Sequence, residues 1–249
     1  MSAYRHVFAR RLAHFGAATR RMATLVAGGF VAVAILTAAP DARAHFFGGV
    51  PIVPLFDLGP IEDQLEIIQR ERELLAVDAW THAIVSVEIE LGENVLWTGV
   101  RGRIALAVTN RRMLAVVPGS AQWAERPFEL RESGPERILL QDRVALLVTD
   151  RRVLGFEGVS GSWSETNLVP RERVLAAVAG TNVAIAVTHT RAVGVAAARG
   201  GMFETRLGIR ENVETIHAQG SLATVTTRIR LLTFRAPDGN WQATDLDFR

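Results

Sequence analysis

From residue 95 to residue 249 the apolar positions fall into short runs of about four to seven residues, broken by Gly, Asn, Asp and Arg, and the runs return in the same order about every forty residues. Each unit opens with a mixed run ("VLWTGV", "RILLQ", "VLAAVA", "VETIHA"). A nearly continuous apolar run follows ("IALAV", "VALLV", "VAIAV", "LATVT") and ends in a tight turn, "TNRR", "TDRR", "THTR" or "TRIR". A third apolar run leads into a glycine-bearing loop, and a fourth segment opens at Trp123, Trp163, Phe203 or Trp241, spaced 40, 40 and 38 residues apart. Placing Thr109, Thr149, Thr188 and Thr226 in register gives intervals of 40, 39 and 38. Short β-branched runs bounded by turn residues predict strands joined by hairpins. The second strand is apolar on both faces and belongs in mid-sheet. The fourth mixes polar and apolar positions, as an outer edge strand does. Four antiparallel strands per period predict an all-β chain: a β-propeller of four to five four-stranded blades, 38–40 residues per repeat. One blade cannot cover both of its faces, and stacking blades about an axis covers them.

The segment before the repeats is ambiguous. "LEIIQRERELLAV" (65–77) lies without gaps over "VALLVTDRRVLGF", and "VEIELGEN" (87–94) matches "TRLGIREN", which predicts a degenerate first blade. The spacing of Ile61, Leu65, Ile68 and Leu75 equally fits one face of a helix. "FFGGVPIVPLFDLGP" ahead of it carries three prolines and reads as an extended edge or linker. The expected organisation is a leader over 1–44, a linker or degenerate first blade over 45–81, and propeller repeats over 82–249.

Composition changes the picture at the N-terminus. Arg5, Arg10, Arg11, Arg20 and Arg21 precede the apolar stretch "MATLVAGGFVAVAILTAA", and Ala42 and Ala44 then form an A-x-A site. This predicts a signal peptide cleaved after Ala44 and a periplasmic or secreted bacterial protein, held at the membrane only if the segment stays uncleaved. "TRRM" partly resembles a twin-arginine signal, but the "ATLV" after it departs from that pattern, so the export route stays open. Six of the 28 basic residues and one of the 26 acids lie in the leader, leaving 22 against 25 and a net charge near −3. The basic character of the whole chain is therefore no sign of a nucleic-acid partner. Cysteine is absent, which excludes disulfides and a lipobox anchor.

Candidate chemistry is sparse. Arg111, Arg112, Arg151, Arg152, Arg191, Arg228 and Arg230 project from the turn between the second and third strands, on the rim shared with the links carrying Glu93, Glu132, Glu172 and Glu211. Such a ring could capture an anion. One acid per link instead favours Arg–Glu pairs tying blade to blade, with Arg112, Arg152, Arg191 and Arg230 as structural residues. Trp123, Trp163, Phe203 and Trp241 recur in register and are expected between blades, whereas Trp80 and Trp97 fall outside the series. Cleavage after Ala44 would expose His45 as an N-terminal chelate for copper, with His82, His189 or His217 completing the site. No catalytic signature is present: there is no nucleophile elbow, zincin helix, dinucleotide fingerprint or P-loop.

The stretch "VTDRRVLGFEGVSGSWSE" resembles the repeat of pyrroloquinoline-quinone-type β-propellers, in which an apolar strand, a glycine-ended loop and a docking tryptophan recur. The likeness spans residues 95–249. It departs from the family where the Asp before the loop is missing and where Phe203 replaces a tryptophan. It implies the fold, and no cofactor-binding set carries over. The expected function is a non-catalytic protein-binding or scaffolding module of the bacterial envelope, without cofactor and with possible self-association. The alternatives are a glycan or anion binder, or a copper protein using His45.

Overall fold

The computed structural model describes residues 62–209 and 211–246. The leader 1–44, His45 and the rest of the 45–81 segment as far as Ile61 lie outside the described residues. The described chain forms five antiparallel sheets, each a meander of strands adjacent in sequence. The first has three strands: β1 (Leu65–Arg70), β2 (Glu73–Asp78) and β3 (Ile84–Glu88). Four four-stranded sheets follow. The second holds β4 (Val95–Arg101), β5 (Ile104–Thr109), β6 (Arg112–Val116) and β7 (Ala124–Pro127). The third holds β8 (Arg137–Leu140), β9 (Val144–Val148), β10 (Arg152–Glu157) and β11 (Trp163–Asn167). The fourth holds β12 (Val174–Ala179), β13 (Val183–Thr188), β14 (Arg191–Ala196) and β15 (Arg199–Arg206). The fifth holds β16 (Val213–Gln219), β17 (Leu222–Thr227), β18 (Arg230–Arg235) and β19 (Asn240–Asp245).

The structure settles the open reading of residues 65–78 in favour of strands. Helical spacing and strand alternation coincide over so short an apolar run, and the "RERE" turn between its halves decides for a hairpin, with Arg70 opposite Glu73. The strands correspond to the second, third and outer strands of the later sheets. The boundary at residue 81 falls in the loop between β2 and β3 of this first sheet.

Each core lies between consecutive sheets. Period-two alternation gives every middle strand two apolar faces: Ile104, Leu106 and Val108 of β5 face the third sheet, and Ala105 and Ala107 face the first. The same division recurs with Val144, Leu146 and Val148 of β9 against the fourth sheet, and Val183, Ile185 and Val187 of β13 against the fifth. Large residues point forward and smaller ones mostly point back, so neighbouring sheets interlock. The third strands follow a matching rule. A Cβ on Gly155 would sit 2.7 Å from Val195, and one on Gly194 would sit 2.7 Å from Phe234, so only hydrogen leaves room for the next sheet's side chain.

The register differs from the sequence reading at one point. Thr109, Thr149 and Thr188 occupy equivalent ends of the second strands, but their fifth-sheet counterpart is Thr227, not Thr226. Thr227 hydrogen-bonds Glu211 and Arg230 as Thr188 hydrogen-bonds Glu172 and Arg191. A one-residue slip turns a side chain to the other face of the sheet. The doubled threonine in "VTTR" hid the slip.

Candidate functional site

In an antiparallel meander the second-to-third-strand turns share one rim with the links between sheets. On this rim a three-residue knot recurs in four sheets. The Thr hydroxyl at the end of the second strand accepts the amide N–H of the Arg three residues on: Arg112 on Thr109 at 2.9 Å, Arg152 on Thr149 at 3.0 Å, Arg191 on Thr188 at 3.1 Å, Arg230 on Thr227 at 3.1 Å. That turn aims each guanidinium at the Glu of the preceding link. Arg112 grips Glu93 through Nε and Nη2 at 2.9 and 3.0 Å, and Arg152 grips Glu132 at 2.9 and 2.8 Å. Arg191 grips Glu172 at 3.0 and 2.9 Å, and Arg230 grips Glu211 at 2.7 Å through both nitrogens.

The same arginines also reach the neighbouring sheet and the outer strand of their own. Nη2 of Arg112, Arg152, Arg191 and Arg230 donates to the carbonyls of Glu88, Pro127, Asn167 and Arg206, at the outer edge of the sheet before. Nη1 of Arg112, Arg152 and Arg191 reaches Glu125, Glu165 and Glu204 on the outer strand of its own sheet. The four link carboxylates have side chains at most 2% exposed. Burial alone would raise Glu172, but hydrogen bonds from Arg191, the Val169 amide, Thr188 and Thr190 outweigh it and hold the carboxyl at about 2. For Glu211 the Arg230 contact leads, and the carboxyl is again held at about 2. Burial of Glu93 is likewise overcome by Arg112 and Thr109, and its pKa is lowered.

Each link carboxylate also closes its own turn, accepting the amide three residues earlier: Glu90 to Glu93 at 3.0 Å, Glu129 to Glu132 at 2.7 Å, Val169 to Glu172 at 3.0 Å, Gly208 to Glu211 at 2.8 Å. The amides of Glu93, Glu132, Glu172 and Glu211 donate back to the same four residues' carbonyls. With φ of +77° at Gly92, +67° at Arg131 and +73° at Arg171, the first three are type II turns. Position i+1 points outward in every turn. Leu91 and Leu130 are 85% exposed and Ile209 fully exposed, with Pro170 at the same place in the fourth sheet. Beside the third of these turns a cleft of about 540 Å³ opens between the third and fourth sheets, lined by Thr149, Asp150, Leu168, Arg171 and Arg173 among others.

Of the other rim arginines, Arg111 pairs with Glu90 at 2.6 Å and Arg228 with Glu214 at 3.7 Å. The aromatics lie at the outer strands. The indole N–H of Trp123, Trp163 and Trp241 donates to Val85, Ala124 and Phe203 carbonyls of the sheet before, at 3.1, 3.0 and 2.9 Å. Phe203 has no such donor and packs against Phe234. Trp97 packs between the second and third sheets, while Trp80 is 76% exposed in the β2–β3 loop. His82 in that loop, His189 in the β13–β14 turn and His217 in β16 are not brought together, and the described residues hold no cluster of three metal-ligating side chains. Sequence reasoning missed Thr227, the outer-strand Glu125, Glu165 and Glu204, and the left-handed Arg131 and Arg171. The constant Thr-to-Arg spacing of three was a signal for Thr227. The positive φ values had none, since glycine marks only Gly92.

Repeated four-stranded antiparallel sheets whose cores lie between neighbours, laced along one rim by buried ion pairs, are the blades of a β-propeller. Distant likeness is found to solved propeller structures. Prp20p from Saccharomyces cerevisiae aligns over 76% of this chain and 65% of its own, at 9% identity and TM-score 0.36. The N-terminal domain of Nup159 aligns over 75% and 60%, at 9% and 0.32, and HIRA(644–1017) over 75% and 57%, at 11% and 0.34. The chain thus spans less than two thirds of the length of these structures. No family model and no curated protein matches the sequence.

Proposed function

We propose that this chain is an exported, non-catalytic β-propeller that binds a partner protein in the bacterial envelope through the rim formed by its inter-sheet links. The blade-level likeness to pyrroloquinoline-quinone-type repeats belongs to this reading, without the cofactor. The observation that carries it is the row of link turns. Each presents an apolar or proline residue to solvent at i+1, and Arg131 and Arg171 hold the left-handed backbone that glycine adopts without strain. Neither feature adds to the stability of the chain: an exposed leucine buries nothing, and a non-glycine left-handed residue costs about 1 kcal/mol or more. Exposed apolar tips supply area whose burial favours docking, and the arginines beside them are a residue type enriched at protein interfaces. The arginines of the same rim that would have captured a free anion are occupied by Glu93, Glu132, Glu172 and Glu211.

The test is crosslinking in the native cell, followed by identification of co-purifying envelope proteins with the wild-type chain and with a Leu91→Ser, Leu130→Ser, Ile209→Ser triple variant. The reading expects a defined partner that is lost from the variant while its melting temperature holds. The same partner captured equally by both chains overturns it. N-terminal sequencing of the mature protein tests export, with His45 expected as the first residue.

A further inference from the structure

The opposite rim carries arginines of a different kind. There the turn before each second strand places one polar residue at the same position in all five sheets: Gln64, Arg103, Arg143, Asn182 and Ser221. The backbone links these turns in series, with Gln64 donating to the Gly102 carbonyl, Arg103 to Asp142, Arg143 to Thr181 and Asn182 to Gly220, at 2.8–3.2 Å. Side chains repeat the pattern in part. Arg103 Nη1 reaches Gln64 Oε1 at 3.4 Å, Arg143 Nη1 reaches Asn182 Oδ1 at 3.4 Å, and Asn182 Nδ2 reaches Ser221 Oγ at 2.8 Å.

The two arginines stand side by side at the middle of this series. Arg103 Nε donates to the Gly158 carbonyl at 3.2 Å. Gly158 in turn lies on Arg143: its amide donates to the Arg143 carbonyl at 2.8 Å, and a Cβ on it would meet Arg143 Cα at 2.9 Å. Arg143 is only 8% exposed, and its one side-chain hydrogen bond is the long contact with Asn182. Among the described residues neither arginine has a carboxylate within 4.0 Å, and the adjacent Asp142 is engaged by Arg101 at 3.1 Å. Among the described residues the sealed side-chain atoms without a partner are Arg126 Nε, Glu157 Oε1 and Ser164 Oγ, so the remaining Arg143 donors are not fully sealed. On the other rim every knot arginine is matched by a buried carboxylate. Here the nearly buried Arg143 has only the Asn182 carboxamide, while Arg103 has the Gln64 carboxamide and the Gly158 carbonyl. Burial first, and then Arg103, pull the Arg143 pKa down against the opposing effect of Asp142. A nearly buried cation so placed has no carboxylate in direct contact and only the field of Asp142 to offset its charge.

We propose that the β4–β5 and β8–β9 turns form a binding site for a small oxyanion, a phosphate or a carboxylate, gripped by Arg103 and Arg143. The planar guanidinium fork fits either group through paired N–H···O bonds.

The experiment is isothermal titration and thermal melting of the mature protein with inorganic phosphate and, separately, with acetate, each against chloride at equal ionic strength. Phosphate, acetate or both should raise the melting temperature above the chloride control, and the anion that does so names the source. Arg103→Gln, at a half-buried site, should weaken that anion by about fivefold or more while its melting temperature in chloride stays near wild type. Arg228→Gln, an exposed position on the other rim outside the docking turns, should bind as wild type does. Identical melting in phosphate, acetate and chloride overturns the proposal, and so does an Arg103→Gln variant that binds as tightly as wild type. Because the partner-docking turns lie on the opposite rim, failure here and failure of the docking reading are separately visible.

Discussion

Glu172 shows how one side chain can hold two sheets. It accepts from Arg191 twice, from the Thr188 and Thr190 hydroxyls and from the Val169 amide, and it sits where solvent does not reach. Removing its charge leaves Arg191 nearly buried and short of its main partner. Glu172→Gln is expected to destabilise the protein by about 3–5 kcal/mol, read from denaturant melts. The same contacts set a pH dependence. Glu172 and Glu211 have folded-state values of about 2, below the ordinary 4.5, so the folded state binds these protons less readily than the unfolded chain. Their contribution is complete above about pH 4.5 and is lost as pH falls toward 2. Melting temperature measured across that window should fall, and the fall should be shallower in Glu172→Gln.

At the scale of the strand, the third strands are tuned to their neighbours. Gly194 faces the Phe234 ring of the fifth sheet at a distance no β-carbon tolerates. Gly194→Val should cost about 1–3 kcal/mol or more through overpacking, measurable by thermal melting. The same substitution at the equivalent Thr233, which has no sheet beyond it among the described residues, should be nearly neutral. The strand pattern was legible because strands buried on both faces write continuous apolar runs, as in "VALLV" and "VAIAV". The register of β17 was not, because "TVTT" offers threonine to both faces and only the tie to Arg230 selects Thr227. The first sheet was half legible: β1 and β2 could be laid over their counterparts, but Arg70 and Glu73 replace the Thr and Arg of the knot.

For the molecule as a whole, the two end sheets differ from the rest. The forward face of β17 carries Leu222, Thr224 and Thr226 where earlier sheets have Val144, Leu146 and Val148 or Val183, Ile185 and Val187, and Thr233 and Arg235 lie beside them. The backward face of β1 carries Glu66 and Ile68 where the later sheets mostly have alanine, and Arg70 where they have threonine. Among the described residues each apolar cluster joins consecutive sheets, and none joins the fifth to the first. Polar side chains on a sheet face that no other sheet covers disfavour association through it. Thr224→Val with Thr226→Val restores the interior pattern on a face that no other sheet covers among the described residues. This variant should associate with rising concentration in light scattering, and wild type should not show the same rise.

Periodicity, strand order and the paired Arg and Glu series could be read from the chain alone, because each repeat must solve the same local problem of turn chemistry and two-faced burial. The tertiary structure decided where the charges were spent. The Thr-x-x-Arg turn and the link Glu are about twenty residues apart in sequence and meet only when the strands pair. Arg103 and Arg143, forty residues apart and unremarkable in composition, become neighbours only when one sheet is laid against the next. Short-range rules specify the blade, whereas the surroundings of a side chain depend on which distant segments the packing brings to it.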